Sequence, residues 1–509
     1  MLPVRQITLC SGRLIREDKL RHCALRRVSY LPPHLPICII DNMTYYFETY
    51  GCEMNIAESA SMEQLLIARG WSVAASAQVA DMIIVNTCSI RKSAEERIEG
   101  RLGWINGLKA VREKKTGAKT KLLDEAVEYV KDGPKPLTVV VTGCMAERLL
   151  PEFRKLYPFV DFVVGTYAKH HFGKIIEAVE EGRVGDDGLV ASVPDDSGVY
   201  QFAAVSAEPG AFSTFVPIMH GCNNFCTYCI VPYVRGREIS RPVEQILAEL
   251  DILKKHKVRE ITLIGQNVNS YHGTGLDGAT VNFAGLLRII AEHLRKTEST
   301  IRWVRFMSSH PKDFTDDVID VIASEPVICR HIHLPVQNGS TPVLEAMNRR
   351  YTREQYLELV AKIKAKIPEV SLTTDIMMGF PGETEEDVEQ TLDLMRTVKY
   401  ESAMMYFYNP REGTPAAKME QIPEEIRKER LQRVIDLQLE HTQERMRERV
   451  GSTALVLAEG VSRDDTTELL GQTEQHEKIV FKADRKLIGS FVNVKITSLN
   501  GNTFKGELV

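Results

Sequence analysis

The stretch Cys222-Asn-Asn-Phe-Cys226-Thr-Tyr-Cys229 decides how the rest of the chain is read. Its three cysteines are separated by three and then two residues, directly after an apolar run expected as a β-strand at 215–219. Thiolates at such spacing ligate zinc or an iron–sulfur cluster. Four thiolates close a structural site, whereas three leave one metal position open for chemistry. A structural zinc with a distant fourth ligand, or thiols holding no ligand, are the alternatives.

Downstream, strands alternate with helices. Strands are expected at 260–264, 303–307, 332–335, 371–377 and 403–407, and helices at 243–256, 283–295 and 385–397. With 215–219 they make six βα units, the pattern of an open, partial (βα)6 barrel. The loop after a barrel's first strand lies at its C-terminal mouth, where active sites are built. A long charged helix is expected at 424–450. Beyond it, short β runs at 454–458, 479–481, 491–496 and 503–509 are split by Gly, Asn and Asp, which predicts a small β-barrel.

Upstream lies a second cysteine set. Cys52, Cys88 and Cys144 are far apart in sequence, yet each follows an expected strand: 44–50, 81–86 and 137–141. A fourth strand is expected at 160–164. In a parallel sheet those strand ends share one edge, where α/β proteins place ligands. Three thiols there form a second open triad, although any one alone reads as ordinary buried core. Cys10, Cys23, Cys38 and Cys329 have no partner pattern.

The fold class is α/β with a small β-barrel at the end. Residues 1–43 show no sustained period and an excess of Arg and Lys, which reads as a disordered extension with Met43 a sensible start. The parallel-sheet domain spans 44–182 and includes a charged surface insertion at 112–136. A linker rich in Gly, Asp, Ser and Ala covers 183–211, the barrel domain 212–449 and the final domain 450–509.

Composition sets the outer limits. At ~100–200 residues per domain, 509 residues allow roughly three. Apolar residues at 43% and charged residues at 26% exclude disorder, collagen and coiled coil for the whole chain. The 64 Lys+Arg against 69 Asp+Glu give a net charge of −5, which excludes a general nucleic-acid coat. No stretch approaches the ~20 apolar residues that span a bilayer. A cytoplasmic location is expected, where ten cysteines stay reduced and form no disulfide framework.

Further candidates lie near the mouth. Gly265-Gln266-Asn267 ends the second barrel strand and offers polar groups to a cofactor. Gln337 follows the fourth strand. Asp375 lies within the fifth, where a carboxylate is costly unless paired. Gly379-Phe-Pro-Gly382 lacks the lysine of a P-loop and reads as backbone approaching a cofactor. Arg235, Arg237 and Arg241 form one local basic stretch, and Arg349, Arg350 and Arg353 another; such patches bind phosphates or are solvated loop charge. In the last domain, Phe481, Phe491 and the clustered Lys478, Lys482, Arg485, Lys486 and Lys495 are the candidates for RNA contact.

From about residue 44 to the end, the chain resembles the radical S-adenosylmethionine (SAM) methylthiotransferases. The resemblance rests on Thr49-Tyr-Gly-Cys-Glu-Met-Asn55, Asn86-Thr-Cys-Ser-Ile-Arg91, Gly143-Cys144, the run from Gly221 to Tyr233, Arg235-Gly-Arg-Glu-Ile-Ser-Arg241, Ser308-Ser-His-Pro311 and Gly379-Phe-Pro-Gly-Glu-Thr384. Tyr228, between the second and third cysteines, belongs to the radical SAM motif. Ser-Ile-Arg after Cys88 favours the branch acting on isopentenyladenosine in tRNA over those acting on threonylcarbamoyl-adenosine or a ribosomal protein. The resemblance implies a radical 4Fe–4S cluster on Cys222, Cys226 and Cys229, an auxiliary 4Fe–4S cluster on Cys52, Cys88 and Cys144, and a TRAM domain that binds RNA. It implies sulfur insertion and methylation at carbon 2 of the modified adenosine, with two SAM molecules per turnover. The implied partners are tRNA, through its anticodon stem-loop, and a reducing protein such as flavodoxin or ferredoxin. The sulfur donor stays open. An iron–sulfur RNA-binding protein without catalysis is the reading from another class.

Overall fold

The computed structural model describes residues 8–10, 13–15, 43–89, 92–115, 123–150, 152–183, 200–202 and 210–509. Packing divides the chain into two compact units, 1–206 and 207–509. The expected extension and the linker fall mostly outside the described residues. Within the extension, Thr8–Cys10 pairs antiparallel with Arg13–Ile15.

The first unit is built on five parallel strands: β1 (Thr44–Thr49), β2 (Ser72–Val73), β3 (Met82–Thr87), β4 (Thr138–Gly143) and β5 (Phe162–Val164). Their order is β2-β1-β3-β4-β5. β3 and β4 are buried along their whole length, as unbroken apolar runs in a two-sided parallel sheet must be. Period two divides their side chains between the faces. Met82 and Ile84 pack with Met62 and Leu66 of α1 (Glu53–Ala68), while Ile83 and Val85 pack with Ile98, Leu102 and Ile105 of α2 (Lys92–Arg112). This order reverses its winding between β1 and β3, and such a switch point opens a crevice at the strands' C-terminal ends. The two residues of β2, Ser72 and Val73, are exposed at the sheet edge and too few to show a period of two, so the strand was not expected.

In the second unit, β6 (Ser213–Pro217), β7 (Glu260–Ile264) and β8 (Trp303–Phe306) form one parallel sheet. β9 (His331–His333), β10 (Ser371–Met378) and β11 (Ser402–Phe407) form another. The two meet at a parallel bridge between Val304 and Ile328, where the Val304 N–H donates to the Val327 carbonyl at 2.8 Å. The six-unit array is therefore a partial barrel made of two halves. The helix at Glu424–Arg449 packs along it through a stripe of Arg427, Arg430, Val434, Gln438, Thr442 and Met446, at the three- and four-residue spacing of one helical face.

The last five strands, β12 (Thr453–Val461), β13 (Glu468–Thr473), β14 (Lys478–Lys482), β15 (Phe491–Asn500) and β16 (Thr503–Leu508), close in the order β12-β13-β14-β16-β15. β13 was not expected because Gly471 and Gln472 break its apolar run. Gly471 lets β12 approach: a Cβ there would lie 2.4 Å from Val456 Cγ1. The small barrel is packed onto the start of the array's strands. Trp303 meets Phe491 with ring centroids 4.7 Å apart, and the buried Arg305 bridges Glu260 at 3.0 Å and the Thr473 carbonyl at 2.9 Å. Arg330 pairs with Glu474, and His331 stacks on His476. The expected boundary near 450 is thus no break in packing.

Candidate functional site

The three cysteines of the central motif lie in one loop that leaves β6 at the array's C-terminal end. Gly221 has φ +78°, and a Cβ on it would lie 2.0 Å from the Arg237 carbonyl oxygen, so only glycine permits this entry. The Cys222 N–H donates to the Gly236 carbonyl at 3.0 Å and the Cys229 N–H to that of Cys226 at 2.9 Å. Phe225 takes a left-handed conformation between the first two cysteines. Burial pushes the Cys222 thiol up to about 11, and burial also pushes Cys229 up. Thiols held so stay protonated unless a metal takes them as thiolates.

Among the described residues, no three Cys, His, Asp or Glu side chains converge as a site for a single metal ion. Donors to a multi-iron cluster stand further apart, since each thiolate binds a different iron. Three thiols in one loop, two buried and Cys229 partly exposed, are a donor set a cluster can use.

Polar groups gather around this loop at the mouth. Gln266 Oε1, both amide atoms of Asn269, Ser309 Oγ and His310 Nε2 are buried with no hydrogen-bond partner in the protein. Buried polar atoms are costly when left unpaired, so this set after β7 and β8 fits a polar ligand. Burial pushes the His310 imidazole well down and keeps it neutral. Its Nδ1 accepts from the Lys312 N–H at 3.3 Å, which leaves the proton on Nε2 as a donor. The sequence reading gave Asn269, Ser309 and His310 no role, although the Ser308-Ser-His-Pro311 motif at a barrel strand's end was the available signal.

Other expected cofactor residues are committed within the protein. The Asn267 amide accepts from the His310 N–H at 3.2 Å and donates to Asp313 at 2.7 Å, tying two mouth loops together. Gly265 sits against Met219, whose Cγ would lie 2.3 Å from any Cβ there. Gln337, at φ +73°, accepts from the Tyr406 hydroxyl at 2.7 Å, and its Nε2 lies 3.5 Å from Asp375. Asp375 also faces His333 at 3.5 Å, so its carboxylate is accompanied, as its place in a strand requires. The Gly379–Gly382 loop cradles a carboxylate of the chain itself: the Gly379 N–H donates to buried Glu383 at 2.7 Å, and Arg430 pairs with the same group at 3.0 Å.

The arginines divide. Arg235, Arg241 and Arg349 are buried, which corrects their expected contact with phosphates. Arg241 is ion-paired with buried Glu249, and Arg349 reaches into the cysteine loop. Arg237 and Arg350 are exposed. Arg237 lies 4.4 Å over the Phe225 ring, and Phe225 meets half-exposed Tyr233 edge-on. In the small barrel, Phe481 is core and Phe491 is engaged by Trp303, so neither is a free stacking platform. The lysines Lys478, Lys482, Lys486 and Lys495, with Arg485, remain exposed there.

In the first unit, Cys52, Cys88 and Cys144 follow β1, β3 and β4, three adjacent strands at the switch point. Gly51 has φ +121°, and a Cβ on it would stand 2.8 Å from Cys88 Cβ and 3.1 Å from its sulfur. Cys52 and Cys144 begin helices, Cys52 as the residue before α1 and Cys144 as the first of α3 (Cys144–Leu149). Helix N-termini favour negative charge, as thiolates carry. An amide seam holds the loops below: Asn55 Nδ2 donates to the Tyr50 and Thr87 carbonyls at 2.7 and 2.9 Å. Asn86 Nδ2 donates to the Asn55 carbonyl and to Ser59 Oγ, both at 3.0 Å.

Family models match three segments: the Radical SAM superfamily over 216–395, the uncharacterized protein family UPF0004 over 44–165 and the TRAM domain over 447–509. A protein named tRNA-2-methylthio-N(6)-dimethylallyladenosine synthase from Treponema pallidum is 49% identical, over 92% of this chain and 99% of its own. Proteins of the same name from Treponema denticola and Carboxydothermus hydrogenoformans are 47% and 44% identical over 92% of this chain, covering 100% and 99% of theirs. Among solved structures, the radical S-adenosylmethionine methyltransferase TsrM from Kitasatospora setae matches with TM-score 0.52 at 14% identity, covering 74% of this chain and 77% of its own. That likeness is one of fold.

Proposed function

This chain belongs to the tRNA-2-methylthio-N(6)-dimethylallyladenosine synthases, a radical SAM family, and we propose that its two cysteine triads divide the reaction between them. The chain is a radical SAM enzyme that adds sulfur and a methyl group at carbon 2 of N(6)-isopentenyladenosine, beside the tRNA anticodon. Membership implies one 4Fe–4S cluster and SAM. The observation that carries the division is the open three-cysteine loop at the array's mouth, with a second triad on separate strands of the other unit.

When bound, the cluster and SAM supply a carbon radical, which an aromatic C–H needs because it is neither acidic nor basic enough for proton-transfer catalysis. Cys222, Cys226 and Cys229 hold that cluster. Gln266, Asn269, Ser309 and His310 offer hydrogen bonds to the polar part of SAM. Gln337 and Asp375, braced by Tyr406 and His333, shape the opposite wall. Gly265 and Asn267 act by packing and by tying the mouth loops. Cys52, Cys88 and Cys144 would hold an auxiliary 4Fe–4S cluster, which would supply sulfur chemistry, and a second SAM would supply the methyl group. Arg237, Arg350 and Tyr233 meet the RNA at the rim. The partners are tRNA and a low-potential one-electron donor such as flavodoxin or ferredoxin, and the setting is the cytoplasm. Among the described residues, no helix is long and apolar enough to cross a membrane.

Nucleoside mass spectrometry of tRNA from a deletion strain tests the substrate: 2-methylthio-N(6)-isopentenyladenosine disappears and its precursor accumulates. Persistence of the methylthio nucleoside overturns the assignment. Iron and sulfide analysis of anaerobically reconstituted protein tests the two sites, with about eight irons expected and about four refuting the auxiliary cluster.

A further inference from the structure

Arg349 is an interior cation at the cysteine loop. Its Nε donates to the Tyr351 hydroxyl at 3.1 Å and its Nη2 to the Pro335 carbonyl at 2.6 Å. Its Nη1 lies 3.5 Å from the Tyr228 hydroxyl and 3.6 Å from Cys226 Sγ. None of these partners is a carboxylate. Arg241, Arg305 and Arg430, also interior, are each neutralised by a glutamate. Arg112, buried without an ion pair, lies among four backbone carbonyls. Arg349 has one carbonyl, two phenols and a thiol.

Burying a guanidinium without countercharge is costly. Of its neighbours, Cys226 becomes an anion when it ligates iron. The fold therefore carries a positive charge whose balance arrives with the ligand.

We propose that Arg349 is the built-in counter-ion of the cluster held by Cys222, Cys226 and Cys229: it donates to Cys226 Sγ and raises the cluster's reduction potential. The inference rests on the cluster assignment of the preceding section. A doubly positive four-iron core with three thiolates is a monoanion, and one electron from a low-potential donor makes it a dianion. A fixed cation beside one thiolate stabilises the dianion more than the monoanion, so electron entry becomes easier. The cation also takes part of the repulsion that the cluster would exert on the carboxylate of incoming SAM. Arg349 is a positioning residue, since it acts through Cys226.

The test is a redox titration, followed by electron paramagnetic resonance, of the full chain carrying Cys52, Cys88 and Cys144→Ala, so that one cluster reports. Arg349→Gln removes the charge. Its ratio of reduced to oxidised cluster at a fixed potential is expected to fall about tenfold, a shift of about 59 mV to more negative values for one electron. Arg349→Lys keeps the charge but loses the forked geometry, and about a threefold fall is expected. Arg349→Gln protein with a full iron complement and the unshifted potential overturns the proposal. If Arg349→Gln does not fold or load, Arg349→Met, which also removes the charge, takes its place, and an unshifted potential there overturns the proposal. A merely structural role lowers the melting temperature of both variants without moving either potential, which also counts against it. Fewer than about four irons in the parent with Arg349 intact is a different failure: it removes the cluster assignment itself and the inference with it.

Discussion

The two triads are assembled by opposite routes. Cys222, Cys226 and Cys229 come from eight consecutive residues, and a single loop carries them all. Cys52, Cys88 and Cys144 come from three strands, and only the sheet order brings them to one edge. The supports differ as well. A buried cation stands by the first, whereas an uncharged seam of Asn55, Asn86 and Ser59 underlies the second. A local motif tolerates distant sequence change, because its spacing travels with it. A distributed site depends on register, so its residues extend into the core.

That contrast can be broken experimentally, and the largest effect belongs to the contiguous loop. Cys222→Ala is expected to abolish reductive cleavage of SAM, measured as 5′-deoxyadenosine, and to remove about half of the iron. Cys88→Ala should stop methylthio product while leaving that cleavage in place. Sulfur insertion retained in Cys88→Ala would dissolve the distinction between the sites. Gly51→Ala should lower only the auxiliary iron, because its Cβ meets Cys88 and its φ is +121°; an equal loss at both sites would point to general misfolding. Asn55→Ala removes one buried and one part-buried hydrogen bond and should cost about 1–3 kcal/mol in chemical unfolding of the first unit, without altering SAM cleavage.

The smallest effect concerns pH. Burial holds the His331 imidazole well below its usual range, so the folded state refuses a proton that the unfolded chain accepts below about pH 6.5. Stability is therefore complete above that pH and falls as the solution is acidified through it. His331→Phe should flatten this slope in melting curves between about pH 6.5 and 5. An unchanged slope would assign the acid sensitivity elsewhere.

The sequence announced much of this fold because its central strands are apolar on both faces. Residues 82–85 and 139–141 read as strands by composition alone. The strands it concealed are those with little to bury, β2 at an edge, or those interrupted by a glycine that serves a neighbour, as β13 is by Gly471. At the candidate site, the cysteines were legible because three within eight residues is a spacing written in the sequence itself. The arginines were not. Arg235, Arg241 and Arg349 look like a phosphate-binding patch until the burial of their stems and heads is known, and charge in a sequence does not say which way it faces. The unpaired donors of Asn269, Ser309 and His310 were hidden for the same reason, since lack of a partner is a property of space.

The seat of the small barrel has a consequence for the substrate. Trp303, Arg305 and His331 receive it at the start of the array's strands, while the cysteine loop leaves from their far end. Strands of five to eight residues such as β7 and β10 make that depth on the order of 20 Å. An RNA that touches both ends must span it, which is roughly six base steps.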